Sequence, residues 1–445
     1  MKKKLLLILV ASCVCLTGAL ATPKQNVKKH AISQKVMLDR FLNYVGVESA
    51  SFDPEGDEYP MTEGQKQMAE LLKKDAEALN AQVTLSEWGY VYVSIPSNIN
   101  YPVPTIGITC HLDYTPDVAG VGIKPTVLKY TGGVINLGHG TLDPSAVSGV
   151  DLPNLVGKTI IHTDGTTILG ADDKNGCTIA MSIIETVQKK GFKHGPLQFV
   201  FCPNEDIGLA ALKIDTTLFN PDIVIDVDGG GCTQVAVSNF TAYGIKLKFT
   251  GNDVHPAEAK KFHLGDALAA AATYIAGVPL QYRPEHTEGK QGYIHPYSIE
   301  QLPNTKDNPN PSYIIDTRVR YFDKEERALF NRIIKENLEH ISQSFPYVQV
   351  EILNEGIQYD NVEYTMHPQS IPLLQKAAAR CKKNIELVDL RAGTTAAMFC
   401  AKGLRGGIGM FSGQHNEHSL LEYSVLEEMY EAYIMLLTII DEAIR

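Results

Sequence analysis

The sequence predicts an α/β protein. A mixed, mostly parallel central sheet is interrupted by an inserted ferredoxin-like domain. Three observations predict this. The chain has 445 residues, more than one hydrophobic core usually organises, so two domains are expected. Through the first half, short apolar runs alternate with helical patterns, as strands do when helices pack over them. From Phe240 the order changes to strand, helix, strand, strand, helix, strand, which is the ferredoxin-like motif.

The elements follow in order. Gln34–Val45 reads as a helix, followed by a loop holding Pro54 and Gly56. Thr62–Leu79 reads as a second helix: Met68, Leu71, Leu72, Ala76 and Leu79 recur at helical spacing, and Thr62 can cap it. Gln82–Ile95 alternates like a strand pair. Val103–Cys110 is a continuous apolar run, hence a buried strand. Asp172–Lys190 becomes an amphipathic helix after Gly170, and Leu197–Cys202 and Ile223–Val227 are strands. In the insertion, Ala242–Thr250, Gly292–Gln301, Ser312–Tyr321 and Tyr347–Leu353 read as strands. Leu264–Gly277 and Lys324–Ser344 read as helices. Ile371–Lys382 and Leu426–Ile444 close the chain as helices. The expected division is 1–21 as a leader, 22–238 and 361–445 as two parts of the main domain, and 239–360 as the insertion.

Composition excludes several classes. The formal charge is −11, with 40 Lys and Arg against 51 Asp and Glu. That argues against nucleic acid and anionic membrane surfaces as main partners. No internal apolar run reaches membrane-spanning length. The N-terminus differs: a basic MKKK, an apolar LLLILVASCVCLTGA and the small-x-small Ala19-Leu20-Ala21 read as a secretory leader cut after Ala21. Val10-Ala11-Ser12-Cys13 offers a second reading, a lipobox-like run that would leave a lipid anchor on Cys13. Both readings place the protein outside the cytoplasm, periplasmic or secreted in the first case and held at the envelope in the second. The six cysteines beyond the leader show no CxxC or zinc-finger spacing and read mostly as buried thiols.

Acidic residues and histidines gather at the ends of the apolar strands. One strand runs into His111-Leu112-Asp113, and another into Pro203-Asn204-Glu205-Asp206. A third ends at Asp228 before three glycines, and a glycine loop carries Asp172 and Asp173 into a helix. Ligands of open α/β sheets bind beyond the carboxyl ends of the strands. Taken singly, each Asp is an ordinary turn former or helix cap. Together they place like charges side by side, which is costly unless a cation or proton separates them. Histidine with carboxylates suits zinc or a similar transition metal. His111 and Asp113 lie on one side of an extended segment, so Asp113 is expected to orient the imidazole.

These residues resemble a known family. LDRFLNYV, TEGQ, VTLSE, HLDYTPD, TTILGADDKNG, NEDIG, DVDGGG, GNDVHP and HSLLEY follow in the order found in the peptidase T family of tripeptide aminopeptidases. That family belongs to the co-catalytic zinc peptidases. The resemblance implies a zinc-binding α/β domain with a ferredoxin-like lid, often a homodimer through that lid, acting on short peptides. It implies two zinc ions, with cobalt or manganese as alternatives. Asp172 would bridge them, His111 and Asp228 would complete one site, and Asp206 and His418 the other. Glu205 would be the general base for attack by a hydroxide held between the ions, with Asp113 orienting His111. His418 is preferred to His415 because the motif places its ligand four residues before a glutamate, here Glu422. His255 would stabilise the oxyanion, and Arg320 and Arg391 would hold the peptide carboxylate. Either arginine reads equally as a surface ion pair.

The chain also departs from the family. Tyr114 follows the His-x-Asp where Thr is usual, and Asp206 replaces a second Glu. Gly393-Thr394-Thr395-Ala396-Ala397 lacks an acidic residue of the family's Gly-Thr-Asp-Gly-Ala. His255-Pro256-Ala257-Glu258 replaces His-Pro-Gly-Thr. The changes cluster where substrate would be held. The expected activity is release of the N-terminal residue of tripeptides or short peptides. A dipeptidase, carboxypeptidase or N-acyl amino acid deacylase with the same metal site is the alternative. A catalytically weak peptide-binding protein is the reading from another class, and retention of Glu205 speaks against it.

Overall fold

The computed structural model describes residues 24–52, 59, 61–189 and 191–445. The expected leader with its cleavage after Ala21, Cys13, Pro54, Gly56 and Lys190 lie outside the described residues.

The main sheet has eight strands. In spatial order they are Gln82–Leu85, Val91–Ile95, Leu197–Cys202, Ile106–His111, Ile223–Gly229, Gly407–Phe411, Gln234–Asn239 and Glu386–Leu390. The four from Leu197–Cys202 to Gly407–Phe411 run parallel. The first two strands pair antiparallel, and Gln234–Asn239 runs antiparallel to Gly407–Phe411. Central strands are buried on both faces, so they read as continuous apolar runs rather than alternating ones. Ile106–His111 is buried at every position.

One face is covered by helices Gln34–Val45, Glu63–Ala78, Ala171–Gln188, Ser370–Cys381 and Leu426–Glu442, whose apolar sides share one core with Ile108, Ile225 and Ile408. The Thr62 hydroxyl accepts from the Gln65 N–H and caps the second of these, as its sequence predicts. On the other face, helix Thr395–Ala401 packs Met398 and Phe399 on Tyr92, Val200 and Phe219.

The insertion forms its own antiparallel sheet in the order Tyr293–Leu302, Ser312–Tyr321, Thr241–Thr250, Gln349–Tyr359. Numbered along the chain this is 2-3-1-4, the ferredoxin-like arrangement. Helices Ala267–Ala276 and Lys324–Ser344 cover it, and Phe249, Tyr274, Ile315, Phe330 and Ile341 form a separate core. The last strand reaches Tyr359 rather than stopping at Leu353.

The sequence does not announce several short strands. Gly407–Phe411 lies in the centre of the main sheet although it holds two glycines. A Cβ on Gly407 would stand 2.8 Å from Val224 Cγ1, so glycine permits the close approach that propensity disfavours. A third sheet joins Gln414–His415, Tyr423–Val425, Thr159–His162 and Thr126–Lys129 and carries the C-terminal histidine segment. The six described cysteines are free thiols, four of them buried. Among the described residues no helix is long and apolar enough to cross a membrane.

Candidate metal centre

The carboxyl ends of the parallel strands converge on one cluster. His111 ends its strand, Glu205 and Asp206 follow Leu197–Cys202, and Asp228 lies near the end of Ile223–Gly229. Asp172 comes from the start of helix Ala171–Gln188, and the Asp172–Asp173 peptide is cis. His418 comes from the connection between strands Gln414–His415 and Tyr423–Val425, with a left-handed backbone at φ 57°.

Asp172 sits at the middle. Its Oδ1 is 2.9 Å from His111 Nε2 and its Oδ2 is 3.2 Å from His418 Nε2. His111 Nε2 is also 3.7 Å from Asp228 Oδ2, and His418 Nε2 is 2.9 Å from Asp206 Oδ1. Ligand atoms of His111, Glu205 and Asp228 lie within 4.8 Å of one another, as do those of His111, Asp172 and Asp206. Asp206, though a methylene shorter than the usual Glu, still reaches His418.

The surrounding backbone holds these groups in place. Glu422 accepts from the Leu169, Gly170 and Asp172 N–H groups at 2.7–2.9 Å, so it fixes the loop that carries Asp172. Asp113 accepts from the Glu205 and Asp206 N–H groups at 3.1 and 3.2 Å. Its approach to His111 Nδ1 is 3.6 Å, too long for a hydrogen bond. The expected orienting role is therefore weaker than the grip of Asp113 on the Glu205–Asp206 turn. Asp173 points away from the cluster and accepts from the His111 and Gly176 N–H groups. Gln414 Nε2 donates to Asp228 Oδ1 at 3.0 Å.

Electrostatics set the cluster apart. Burial pulls the His111 imidazolium down, but Asp228, Asp113 and Asp172 outweigh it and hold it well above its usual value. Hydrogen bonds to Asp172 and Asp206 raise His418 to about 11. Burial raises Glu205, and the neighbouring carboxylates add to that. Burial and Asp172 raise Asp206 to about 6. Among the described residues, His111 Nδ1 and Asp206 Oδ2 are buried without a hydrogen-bond partner. Clustered carboxylates, two imidazoles and orphaned ligand atoms fit divalent metal ions.

The other expected residues lie elsewhere. His415 is not in the cluster: it pairs with Asp151 at 3.3 Å and Glu428 at 2.8 Å. His255 is exposed, and its Nδ1 accepts from the Ala257 N–H at 3.2 Å. Arg320 is buried, not a surface ion pair. It donates to the Val319 and Tyr243 carbonyls and lies 5.6 Å from the Phe240 and Tyr359 rings. Arg391 donates to the Gly289 and Gln291 carbonyls and to Thr287 Oγ1, joining the main domain to a loop of the insertion.

Sequence reasoning missed Lys174, which follows the Asp172–Asp173 pair, and did not place the side chain of Tyr114. Lys174 is fully buried, donates to the Val47 carbonyl at 2.5 Å, and lies 4.8 Å from the Tyr114 ring centre. Burial lowers it to about 7. Tyr114, the departure after His-x-Asp, is buried with its hydroxyl donating to the Gly120 carbonyl. A lysine directly after two aspartates, at the start of a helix whose later turns are mostly apolar, is the signal that could have singled out Lys174.

No family model matches the chain. Peptidase T of Escherichia coli is 34% identical over 409 residues, covering 91% of this chain and 98% of that protein. Peptidase T of Shigella flexneri matches to the same extent. Aminopeptidase PepT from Bacillus cereus superposes with a TM-score of 0.71 at 21% identity, covering 93% of this chain and all of that one. A tripeptidase from Staphylococcus aureus gives 0.70 at 19%, with the same coverage. A dinuclear metal-binding M20-family peptidase from Bacillus subtilis gives 0.62 at 14%, covering 93% and 99%. The structural likeness extends to the whole fold, and the sequence likeness spans nearly the full length of the curated relatives. The chain belongs to the peptidase T family of metallo-aminopeptidases.

Proposed function

We propose that the protein is an exported aminopeptidase that holds two divalent ions and releases the N-terminal residue of tripeptides or short peptides. The observation that carries this reading is Asp172, engaged at both oxygens by two histidines, each of which faces a further carboxylate. His111, Asp172 and Asp228 would hold one ion, and Asp172, Asp206 and His418 the other. The mixed nitrogen and oxygen donors favour zinc, with cobalt or manganese as substitutes. Bound there, such ions supply an acidified water and an electrophile for the peptide carbonyl.

The protein's own groups do the rest. Glu205 is 9% exposed and lies beside His111 and Asp228. Its carboxylate takes the proton of the attacking water and passes it to the leaving amine nitrogen. Burial raises its proton affinity, which suits a group that must hold that proton between the two steps. Asp113 keeps the Glu205–Asp206 turn aimed into the cluster. Substrate contacts by His255, Arg320 and Arg391 rest on the family resemblance. Export rests on residues 1–21, with Cys13 lipidation as the alternative. N-terminal sequencing of the protein recovered from the cell envelope decides between them. A second copy is proposed to dock on the edge strand Gln349–Tyr359, which exposes Ile352, Leu353 and Ile357. Light scattering tests that.

The test of function is hydrolysis by the chain from Thr22, loaded with zinc, of free, N-acetylated and C-amidated tripeptides. Release of the N-terminal residue from peptides with a free amine, lost on chelation and in Glu205→Gln, is the expected result. Cleavage of acylated peptides instead would move the protein to the deacylases. Peptide binding unchanged by Glu205→Gln and without turnover would make it a binding protein.

A further inference from the structure

A groove opens beside the cluster, next to Asp228, and encloses about 90 Å³. Ala236, Gly409, Val388 and Leu390, on adjacent strands, line it together with Asp226 and Thr394. Ala236 and Gly409 carry little side chain because their strands approach closely. Gly409 pairs with Ala236, and a Cβ on Gly409 would stand 3.0 Å from that of Ala236. Asp226 is 1% exposed. Its Oδ2 accepts from the Ala396 N–H at 2.8 Å, and its Oδ1 has no partner at hydrogen-bond distance among the described residues, the Thr394 hydroxyl on the groove lining being the polar group near it. A buried carboxylate oxygen without a donor is costly, and neither the metal ligands nor the proton steps use it. Asp226 and Asp228 share one face of a strand, about 6.6 Å apart along it. A group bound at Asp226 therefore lies roughly one residue's reach from the metal position.

We propose that this groove receives the N-terminal residue of the substrate and that Asp226 accepts its α-ammonium group. The inference rests on the aminopeptidase reading and adds to it the group that selects a free N-terminus. Such an enzyme must hold a cation close to the carbonyl it attacks. Asp228 is committed to the cluster and to Gln414, Glu205 to the proton, and Asp206 to His418. Asp226 Oδ1 is a buried acceptor that none of these roles uses, and Asp226 lines the groove. The ammonium supplies up to three donors, and the bond to a carboxylate is charge-assisted. The side chain of the same residue would lie over Ala236 and Gly409 against Val388 and Leu390, which suits small or medium apolar residues.

Asp226→Asn separates this from a purely structural role, because the amide oxygen can still accept from Ala396. The probes are an Ala-led tripeptide and its analogue with hydrogen in place of the α-amine. Each is measured by turnover or inhibition and by calorimetric binding to the zinc-loaded protein. The wild type should prefer the amine form by about 10–100-fold, the range of a charge-assisted hydrogen bond. In Asp226→Asn that preference should collapse to within about threefold, through KM more than kcat, with affinity for the analogue unchanged. A preference that survives the substitution overturns the proposal. Val388→Phe, on the partly exposed lining, should lower kcat/KM for Leu-led peptides at least about tenfold more than for Gly-led ones. An equal effect on both overturns the side-chain placement, even if Asp226→Asn does not fold. If the wild type hydrolyses nothing, the function reading falls, while binding of the two probes still decides the ammonium site.

Discussion

His415 and His418 lie three residues apart in one segment, and each stands between two carboxylates. His415 faces Asp151 and Glu428, its ring is stacked on Tyr423 at 4.7 Å, and Lys158 pairs with Glu428 at 2.6 Å. His418 faces Asp172 and Asp206. Among the described residues no lysine or arginine forms an ion pair with Asp172, Asp206, Asp228 or Glu205. One site closes its charge within the protein, and the other leaves carboxylates in excess. A matched buried network is a structural device, whereas an unmatched one is a place for a ligand. The missing cation separates the two histidines more clearly than their local geometry does.

The largest expected effect breaks the two apart by substitution. His418→Ala should lower turnover by at least about 100-fold, the scale on which losses around a metal site are felt, and reduce bound metal from two ions per chain to one. His415→Phe keeps the stacked ring but removes both hydrogen bonds. It should keep both ions and lose on the order of 3 kcal/mol of stability, the cost of leaving the buried Glu428 without its histidine partner. Metal analysis and denaturant unfolding of the two variants read this out. If His415→Phe loses a metal ion, the division between the sites fails.

Much of this was legible in the sequence because strand ends in an α/β sheet have a fixed meaning. His111, Asp172, Glu205, Asp206 and Asp228 stood out as charges placed where apolar runs stop, and the structure brings them together with His418. The choice of His418 over His415 came from Glu422, which the structure shows gripping three N–H groups of the Asp172 loop. What stayed hidden depends on contacts between distant segments. The grip of Asp113 on the Glu205–Asp206 backbone leaves no local pattern. Gly407–Phe411 carries no strand signal because its glycines serve the neighbouring strand. The family's missing acid at Thr395 looked like a lost charge. Yet Asp226 places a carboxylate against the N-terminus of the same helix, bonded to the Ala396 N–H.

A smaller effect sharpens the comparison through protons. In the metal-free protein His418 is raised to about 11 and His111 also stands well above its usual value, so both hold a proton more tightly than a free imidazole. Zinc must displace those protons. Loading should release at least one proton per chain, and affinity should rise with pH from 6 to 8. At 100 times its dissociation constant zinc should stabilise the fold by about 2.7 kcal/mol. Calorimetry in two buffers of different ionisation enthalpy measures the release. His415→Phe should leave it unchanged, and His418→Ala should reduce it. Zinc binding without proton release would sink the idea.

The smallest effect concerns Asp151, which separates the two partners of His415. Burial lowers His415, but Asp151 and Glu428 outweigh it and raise it to about 9. A histidine raised on folding contributes fully below its unfolded value near 6.5. That contribution is lost as pH rises through about 9, a loss on the order of 3 kcal/mol. Glu428 is lowered, burial being outweighed by His415 and Lys158, so its share is lost in the opposite direction, as pH falls below about 4.5. Stability should therefore peak between these limits. Glu428 and Lys158 are largely buried, but the Asp151 side chain is 56% exposed, and water screens its pairing. Asp151→Asn should cost only about 0.5 kcal/mol at pH 6. It should also move the alkaline decline to lower pH, because His415 then has one carboxylate instead of two. Urea unfolding at pH 6, 7.5 and 9 measures both effects. An alkaline decline that stays in place would mean that Glu428 alone holds the proton on His415, and that the matched site is a triad with Lys158 rather than a four-residue network.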